Sequence, residues 1–175
     1  MPPGRTKPFA MKTILVPTDF SQGSQAALEA ATALAKLAKS DVVVLHVIET
    51  LAYTMKESLH LVDTTAMVKS MTESPQLMDV YALVQRAVEP ALDQVVQALQ
   101  RDHVSASDCI LQGTAYDQIV AKAKEIGADL IVMGTHGRRG VNHLFMGSVA
   151  ERVVRTAPCP VLTVRTPADR ATQPA

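Results

Sequence analysis

Aromatic side chains make up only 3% of this 175-residue chain and tryptophan is absent, so its core must be built from Val, Leu, Ile, Ala and Met. The hydrophobic fraction of 47% supplies enough of them for a sizeable core in one domain. Cysteine is scarce too: Cys109 sits in an apolar, strand-like run and Cys159 between two prolines. Two such positions make no disulfide framework, and both read as reduced packing residues. Net charge is missing, since 17 basic and 17 acidic residues cancel. That balance offers no general attraction to nucleic acid or to a membrane surface. Long apolar runs are also missing, and none approaches the roughly 20 residues that span a bilayer. The five histidines show no metal-ligand spacing. The first ten residues hold Pro2, Pro3, Gly4 and Pro8 without the apolar centre of a signal peptide. They read as a disordered lead-in, with Met11 as the alternative start of the domain. These features together lead us to expect a cytoplasmic protein.

What is present is an alternation of strand and helix signals. Thr13-Ile14-Leu15-Val16 is a β-rich run ended by Pro17, and Val42 to Ile48 is a continuous apolar run suited to a strand buried on both faces. Between them Ser21 to Ala38 carries Ala27, Ala30, Leu34 and Leu37 at helical spacing, with Ser21 as N-cap. Met78 to Arg101 repeats Val84, Val88, Leu92, Val95 and Leu99, interrupted by Pro90, which either kinks one helix or begins a second. A weaker strand signal follows over Val104 to Leu111. Next come a helix over Tyr116 to Ile126 closed by Gly127, a strand over Leu130 to Met133, a helix over Ser148 to Ala157 and a last strand over Pro160 to Val164. Five strands separated by helices predict an α/β fold: one open, mostly parallel sheet with helices on both faces. The stretch from Thr50 to Gln76 breaks this rhythm. It is too long for an ordinary connection and contains Met55, Met67 and Met71, so it reads as a surface insertion or as an adaptable lid or partner surface. The tail after Arg165 is polar and is expected to fray.

The most informative stretch is Met133-Gly134-Thr135-His136-Gly137-Arg138-Arg139-Gly140-Val141-Asn142-His143-Leu144-Phe145-Met146-Gly147-Ser148-Val149. Glycines just behind a strand let the backbone turn tightly and approach a ligand with no Cβ in the way. Gly147-Ser148 opens a helix, where unpaired N–H groups and the dipole attract an anion. Any one of these glycines is better explained by a turn or a helix start; the full spacing is not. Arg138 and Arg139 can reach a terminal phosphate or sit at a solvated loop tip, and His136 either touches a phosphate or holds the loop. The second polar strand end is Pro17-Thr18-Asp19-Phe20-Ser21. Asp19 there serves equally as acceptor for an adenine amino group or a ribose hydroxyl, or as a helix cap. His46 reads as a packed, hydrogen-bonded strand residue.

Two residues separate Gly134 from Gly137 and nine separate Gly137 from Gly147, followed by Ser148. This resembles the G-x2-G-x9-G-S/T nucleotide motif of the universal stress protein family at every fixed position. Pro17 to Ser21 and Leu45-His46-Val47-Ile48 resemble the same family, and the likeness covers about Lys12 to Val164. It implies a Rossmann-like fold of the adenine-nucleotide α-hydrolase type, with a domain over residues 11–165 that carries residues 50–76 as a variable insertion. It implies that the first and fourth strands lie side by side, so that Asp19 and Gly134 face one crevice. The implied nucleotide site takes Pro17, Thr18 and Asp19, the backbone at Val47, Met133 and Gly134, His136 and Gly137, and the group Gly147, Ser148 and Val149 on the phosphates. The implied ligand is ATP, with Mg²⁺, and the implied assembly is a homodimer paired along Val161 to Val164.

The function classes left are an ATP-binding regulatory protein with an unidentified protein partner, a phosphate-transferring enzyme, and a nucleotide-free interaction module. The enzyme lacks parts. There is no G-x-x-x-x-G-K-S/T loop, no kinase or nucleophile-elbow signature, no S-G-G-x-D-S or H-I-G-H motif, and no carboxylate between Gly134 and Ser148. Slow hydrolysis stays open, because bound Mg·ATP beside Arg needs only a positioned water.

Overall fold

The computed structural model describes residues 11–49, 75–135 and 146–166. Five strands occur there: β1 (Thr13–Pro17), β2 (Asp41–Ile48), β3 (Ala106–Gln112), β4 (Leu130–Gly134) and β5 (Val161–Val164). Four helices separate them: α1 (Gln22–Ala38), α2 (Pro75–Arg101), α3 (Ala115–Glu125) and α4 (Ser148–Thr156). The strands lie in the order β3-β2-β1-β4-β5, and all four pairings are parallel. Parallel strands need crossovers, and the crossovers put helices on both faces.

Alternation along β1 divides the core in two. Ile14 and Val16 pack with Ala27, Ala31 and Ala35 of α1, Leu92, Val96 and Leu99 of α2, and Val132. Leu15 points the other way, into a cluster with Leu45, Ile131, Met133, Ile119 and Ala123 of α3, and Ala150 and Val153 of α4. Truncating a fully buried leucine such as Leu92 would cost about 2–5 kcal/mol.

Two helical stripes differ from expectation. In α1 the buried line is Gly23, Ser24, Ala27, Ala31 and Ala35, small residues that let the helix lie close to the sheet. Ala30 and Leu34 flank it half-buried, while Leu37, expected inward, is 84% exposed. It stands two residues past Ala35, about 200° around the helix from it. Among the described side chains of α2 only Leu92, Val96 and Leu99 are buried, with Val95 half-buried beside them; Val84, also expected inward, is exposed together with Val80 and Leu83. The core therefore takes the C-terminal part of this helix. Pro90 lies on its exposed side within one continuous helix, and Pro75 and Gln76, expected in the insertion, belong to that helix. At the end of α3, Gly127 adopts φ +59, the left-handed turn that glycine takes without strain.

The strand order fixes where a ligand can enter. From β1 the chain moves outward through β2 to β3, then crosses back to place β4 on the opposite side of β1. Crossovers leave β1 and β4 in opposite directions, which opens a crevice beyond their carboxyl ends.

Candidate functional site

The loop leaving β1 is held from both sides. Thr18 N–H donates to Leu45 O at 2.8 Å, and His46 Nδ1 lies 2.8 Å from Thr18 O. A carbonyl only accepts, so Nδ1 carries the proton. Thr18 Oγ1 accepts from Phe20 N–H at 3.1 Å and lies 3.1 Å from Ser24 Oγ in the first turn of α1. Phe20 is held at φ +61, a left-handed conformation uncommon for a bulky residue, with its ring 4.9 Å from the imidazole of His46. Asp19 Oδ1 accepts from Ser21 N–H at 3.0 Å, while Ser21 Oγ accepts from Ser24 N–H at 3.3 Å. Ser21 is therefore the cap of α1, and Asp19 forms the turn in front of it.

Val47 stands one residue beyond His46. In a parallel ladder the N–H and C=O of one residue face the same neighbour, and those of the next residue face the other. Leu45 faces β1, because its carbonyl takes Thr18 N–H, and Ile48 faces β3, because its carbonyl takes Gly113 N–H at 3.2 Å. Val47 therefore faces β1, but that ladder ends at Pro17↔Leu45. Its N–H and C=O open onto the space past Pro17, where no backbone group among the described residues pairs with them.

The end of β4 lies next to β1 and meets α1 and α4. A Cβ on Gly134 would lie 2.7 Å from the backbone carbon of Gly23 and 2.8 Å from its oxygen. Glycine is required here because the first turn of α1 packs directly on the strand, so the bare face at Gly134 is taken by protein. Thr135 is buried, and its N–H donates to Val164 O at 3.0 Å. Its carbonyl accepts from Gly147 N–H at 2.8 Å. That single bond ties the start of α4 to the carboxyl end of β4. Gly147 occupies the N-cap at φ −61, ψ 149, and among the described residues no side chain caps the helix.

The neighbouring helix on this face begins differently. Thr114 stands at the N-cap of α3 without a side-chain bond, and Glu49, just past β2, supplies the acceptor instead: Ala115 N–H donates to its Oε1 at 3.0 Å. Arg152 of α4 lies 4.5 Å above the ring of Tyr116 of α3 and joins the two helices.

Of the residues expected at the site, Pro17, Thr18 and Asp19, then Met133 and Gly134, end the two adjacent strands, Val47 lies on β2 one strand away, and Gly147, Ser148 and Val149 open α4. Thr18 and Gly134 brace the scaffold, and Met133 is buried in the core. His136, Gly137, Arg138 and Arg139 lie outside the described residues. Sequence reasoning missed Thr135, Glu49 and Gly23, which act through partners far along the chain. The x residue after the first glycine of the motif is the only signal that pointed near Thr135.

Elsewhere the chemistry is quiet. Burial pushes the thiols of Cys109 and Cys159 above their ordinary range, away from the reactive thiolate. Among the described residues no three His, Cys, Asp or Glu side chains group to hold a metal ion. No helix there is long and apolar enough to cross a membrane.

The comparisons with known proteins agree with this architecture. The family model described as "Universal stress protein family" matches residues 11–165. Universal stress protein MJ0531 of Methanocaldococcus jannaschii is 33% identical over 156 residues, covering 89% of this chain and 83% of its own. Universal stress protein MJ0577 of the same organism is 29% identical over 154 residues, covering 88% and 94%. The solved structure of MJ0577 superposes with a TM-score of 0.73 over 90% of this chain and 97% of its own, at 26% identity. A universal stress protein in complex with cAMP (TM-score 0.57, 21% identity, 89% and 98% covered) shares the fold. One from Archaeoglobus fulgidus in complex with dAMP (TM-score 0.53, 20% identity, 87% and 96% covered) shares it too. By sequence and by fold, this chain belongs to the universal stress protein family.

Proposed function

We propose that the chain is a nucleotide-binding regulatory protein that takes ATP with Mg²⁺ in the crevice between β1 and β4 and turns it over slowly at most. The observation that carries this reading is the start of α4, tied to the end of β4 through Gly147 and Thr135 and, among the described residues, without a side-chain cap. Exposed N–H groups and the helix dipole favour phosphate there. Ser148 and Val149 would add a hydroxyl and backbone N–H groups to the phosphates, and Gly137, Arg138, Arg139 and His136 would cover them from the loop. Asp19 and the open backbone of Val47 suit the polar edge of the adenine. Mg²⁺ would be held chiefly by the phosphates, since the loop has no carboxylate. The relatives solved with cAMP and dAMP carry the fold alone at their low identity, so the reading rests on the geometry of the crevice. Heat-denaturing the purified protein and analysing the supernatant for adenine nucleotide tests it: ATP is expected, and ADP alone would indicate turnover. Gly137→Val should abolish ATP binding with the fold retained, and unchanged affinity by calorimetry would sink the assignment.

The same reading takes the protein as a cytoplasmic homodimer, its nucleotide state read by a protein partner. β5 is an edge of the sheet, and edge strands invite pairing. Pro160 O and Val164 O accept from Ile131 and Thr135 on the β4 side, so Leu162 also faces β4, and Val161 and Thr163 present their N–H and C=O outward. Antiparallel pairing would use those two residues. Thr163→Pro removes an outward donor and should yield a monomer by light scattering; an unchanged dimer mass would refute pairing along this strand.

A further inference from the structure

Between the two groups assigned to the adenine lies one residue that touches the loop carrying the first and forms the backbone next to the second. His46 is all but buried, adjoins Val47 on β2, and donates from Nδ1 to Thr18 O at 2.8 Å, directly before Asp19. Its ring lies against Phe20, which follows Asp19 in a left-handed conformation. The loop peptide at Thr18 is thus fastened to β2 by its N–H on Leu45 O and by its C=O on His46. We propose that His46 is a positioning residue for base selection: it sets the spacing and direction of Asp19 relative to Val47, and so decides that adenine is taken in preference to guanine. It acts through the loop and touches no phosphate.

This inference rests on the nucleotide reading above, and its test separates the two. ATP, GTP and inorganic tripolyphosphate are titrated calorimetrically into the full chain and into His46→Leu and His46→Asn, with the melting temperature of each recorded. His46→Leu removes the donor. It should lower ATP affinity about tenfold, as expected for one lost hydrogen bond at a positioned group. ATP should fall toward the level of GTP, while tripolyphosphate, held at the start of α4, binds as in the parent. His46→Asn keeps an N–H near the place of Nδ1 and should restore most of the preference for ATP. Phe20→Gly removes the ring while accepting φ +61, and supplies a second variant if His46→Leu does not fold; it should lose base preference in the same selective way. Equal preference for ATP in His46→Leu and the parent overturns the inference and leaves the nucleotide reading standing. A parallel loss of all three ligands, or no recovery in His46→Asn, overturns it too by showing a purely structural role. A parent that binds none of the three overturns both.

Discussion

Two helices begin side by side on one face of the sheet and finish their first turns in opposite ways. At α3 a carboxylate from the end of β2, Glu49, accepts the N–H of Ala115. At α4 the N-cap is Gly147, which has no side chain to offer, and the carbonyl of Thr135, just past β4, is engaged with Gly147 N–H outside the helix. Both starts carry the positive end of a helix dipole, and in both the first N–H groups lack partners within the helix. One is closed by the protein itself and serves as scaffold. The other has no side-chain cap among the described residues, and in the proposed function it receives the phosphates. The difference is why the proposed phosphate site is placed at α4 and not at α3.

The largest effect expected from breaking this arrangement comes from the floor shared by α1 and β4. Gly134→Ala would drive a Cβ to 2.7 Å from the Gly23 backbone, and a backbone cannot rotate aside. A loss at or above the ~3 kcal/mol upper range of overpacking is expected, read as a large drop in melting temperature or insoluble protein. A folded variant of unchanged stability would show that α1 does not seat on the strand as described. Next comes the closed start. Glu49→Ala should lower stability by about 1 kcal/mol, as for a lost cap, and leave ATP affinity in the folded protein as it was. Loss of ATP binding there would erase the distinction between the two helix starts. Asp19→Ala should weaken ATP by about 0.5–1.5 kcal/mol, the net worth of a hydrogen bond. If melting temperature falls while affinity stays constant, Asp19 belongs to the turn before α1 and not to the site.

The smallest effect lies away from both helix starts. Lys36 Nζ donates to Asp102 Oδ2 at 2.9 Å, and this bond holds the Asp102 carboxyl below its ordinary range. A folded-state value lower than the unfolded one adds stability above the unfolded value, which is lost as pH falls through the folded value. Because the carboxylate is solvated and screened, Asp102→Asn should leave neutral-pH melting nearly unchanged and flatten only the acid limb of its pH dependence. A large shift at neutral pH would contradict the solvated setting of this pair.

The order and kind of elements were legible in the residues because a parallel sheet buried on both faces writes itself as apolar runs such as Val42 to Ile48. The cap at Ser21 was legible because its partner is three residues away. Leu37 and Val84 misled, since helical spacing says which residues share a face but not how far along the helix the sheet extends. Gly134 was read as making room for a ligand, and it makes room for Gly23, a residue that only the crossover to α1 brings near. Glu49 reaches Ala115 across 66 positions and Thr135 reaches Val164 across 29, contacts that no local pattern encodes. The strand ends that frame the candidate site were thus readable from the motif, whereas the braces that hold them were not.

The start of α4 carries the proposed phosphate site, and one substitution would close it. Gly147 has the extended backbone of an N-cap that any residue can adopt, so Gly147→Asp would place a carboxylate on the first N–H groups of the helix. Calorimetric titration of Mg·ATP into the parent and into this variant is the measurement. We expect saturable binding to the parent. In the variant we expect at least about a tenfold loss of affinity, with melting temperature equal or slightly higher, since Asp improves on Gly at a cap by a few tenths of a kcal/mol. A parent that binds no ATP, or a variant that binds it as tightly as the parent, would contradict the account.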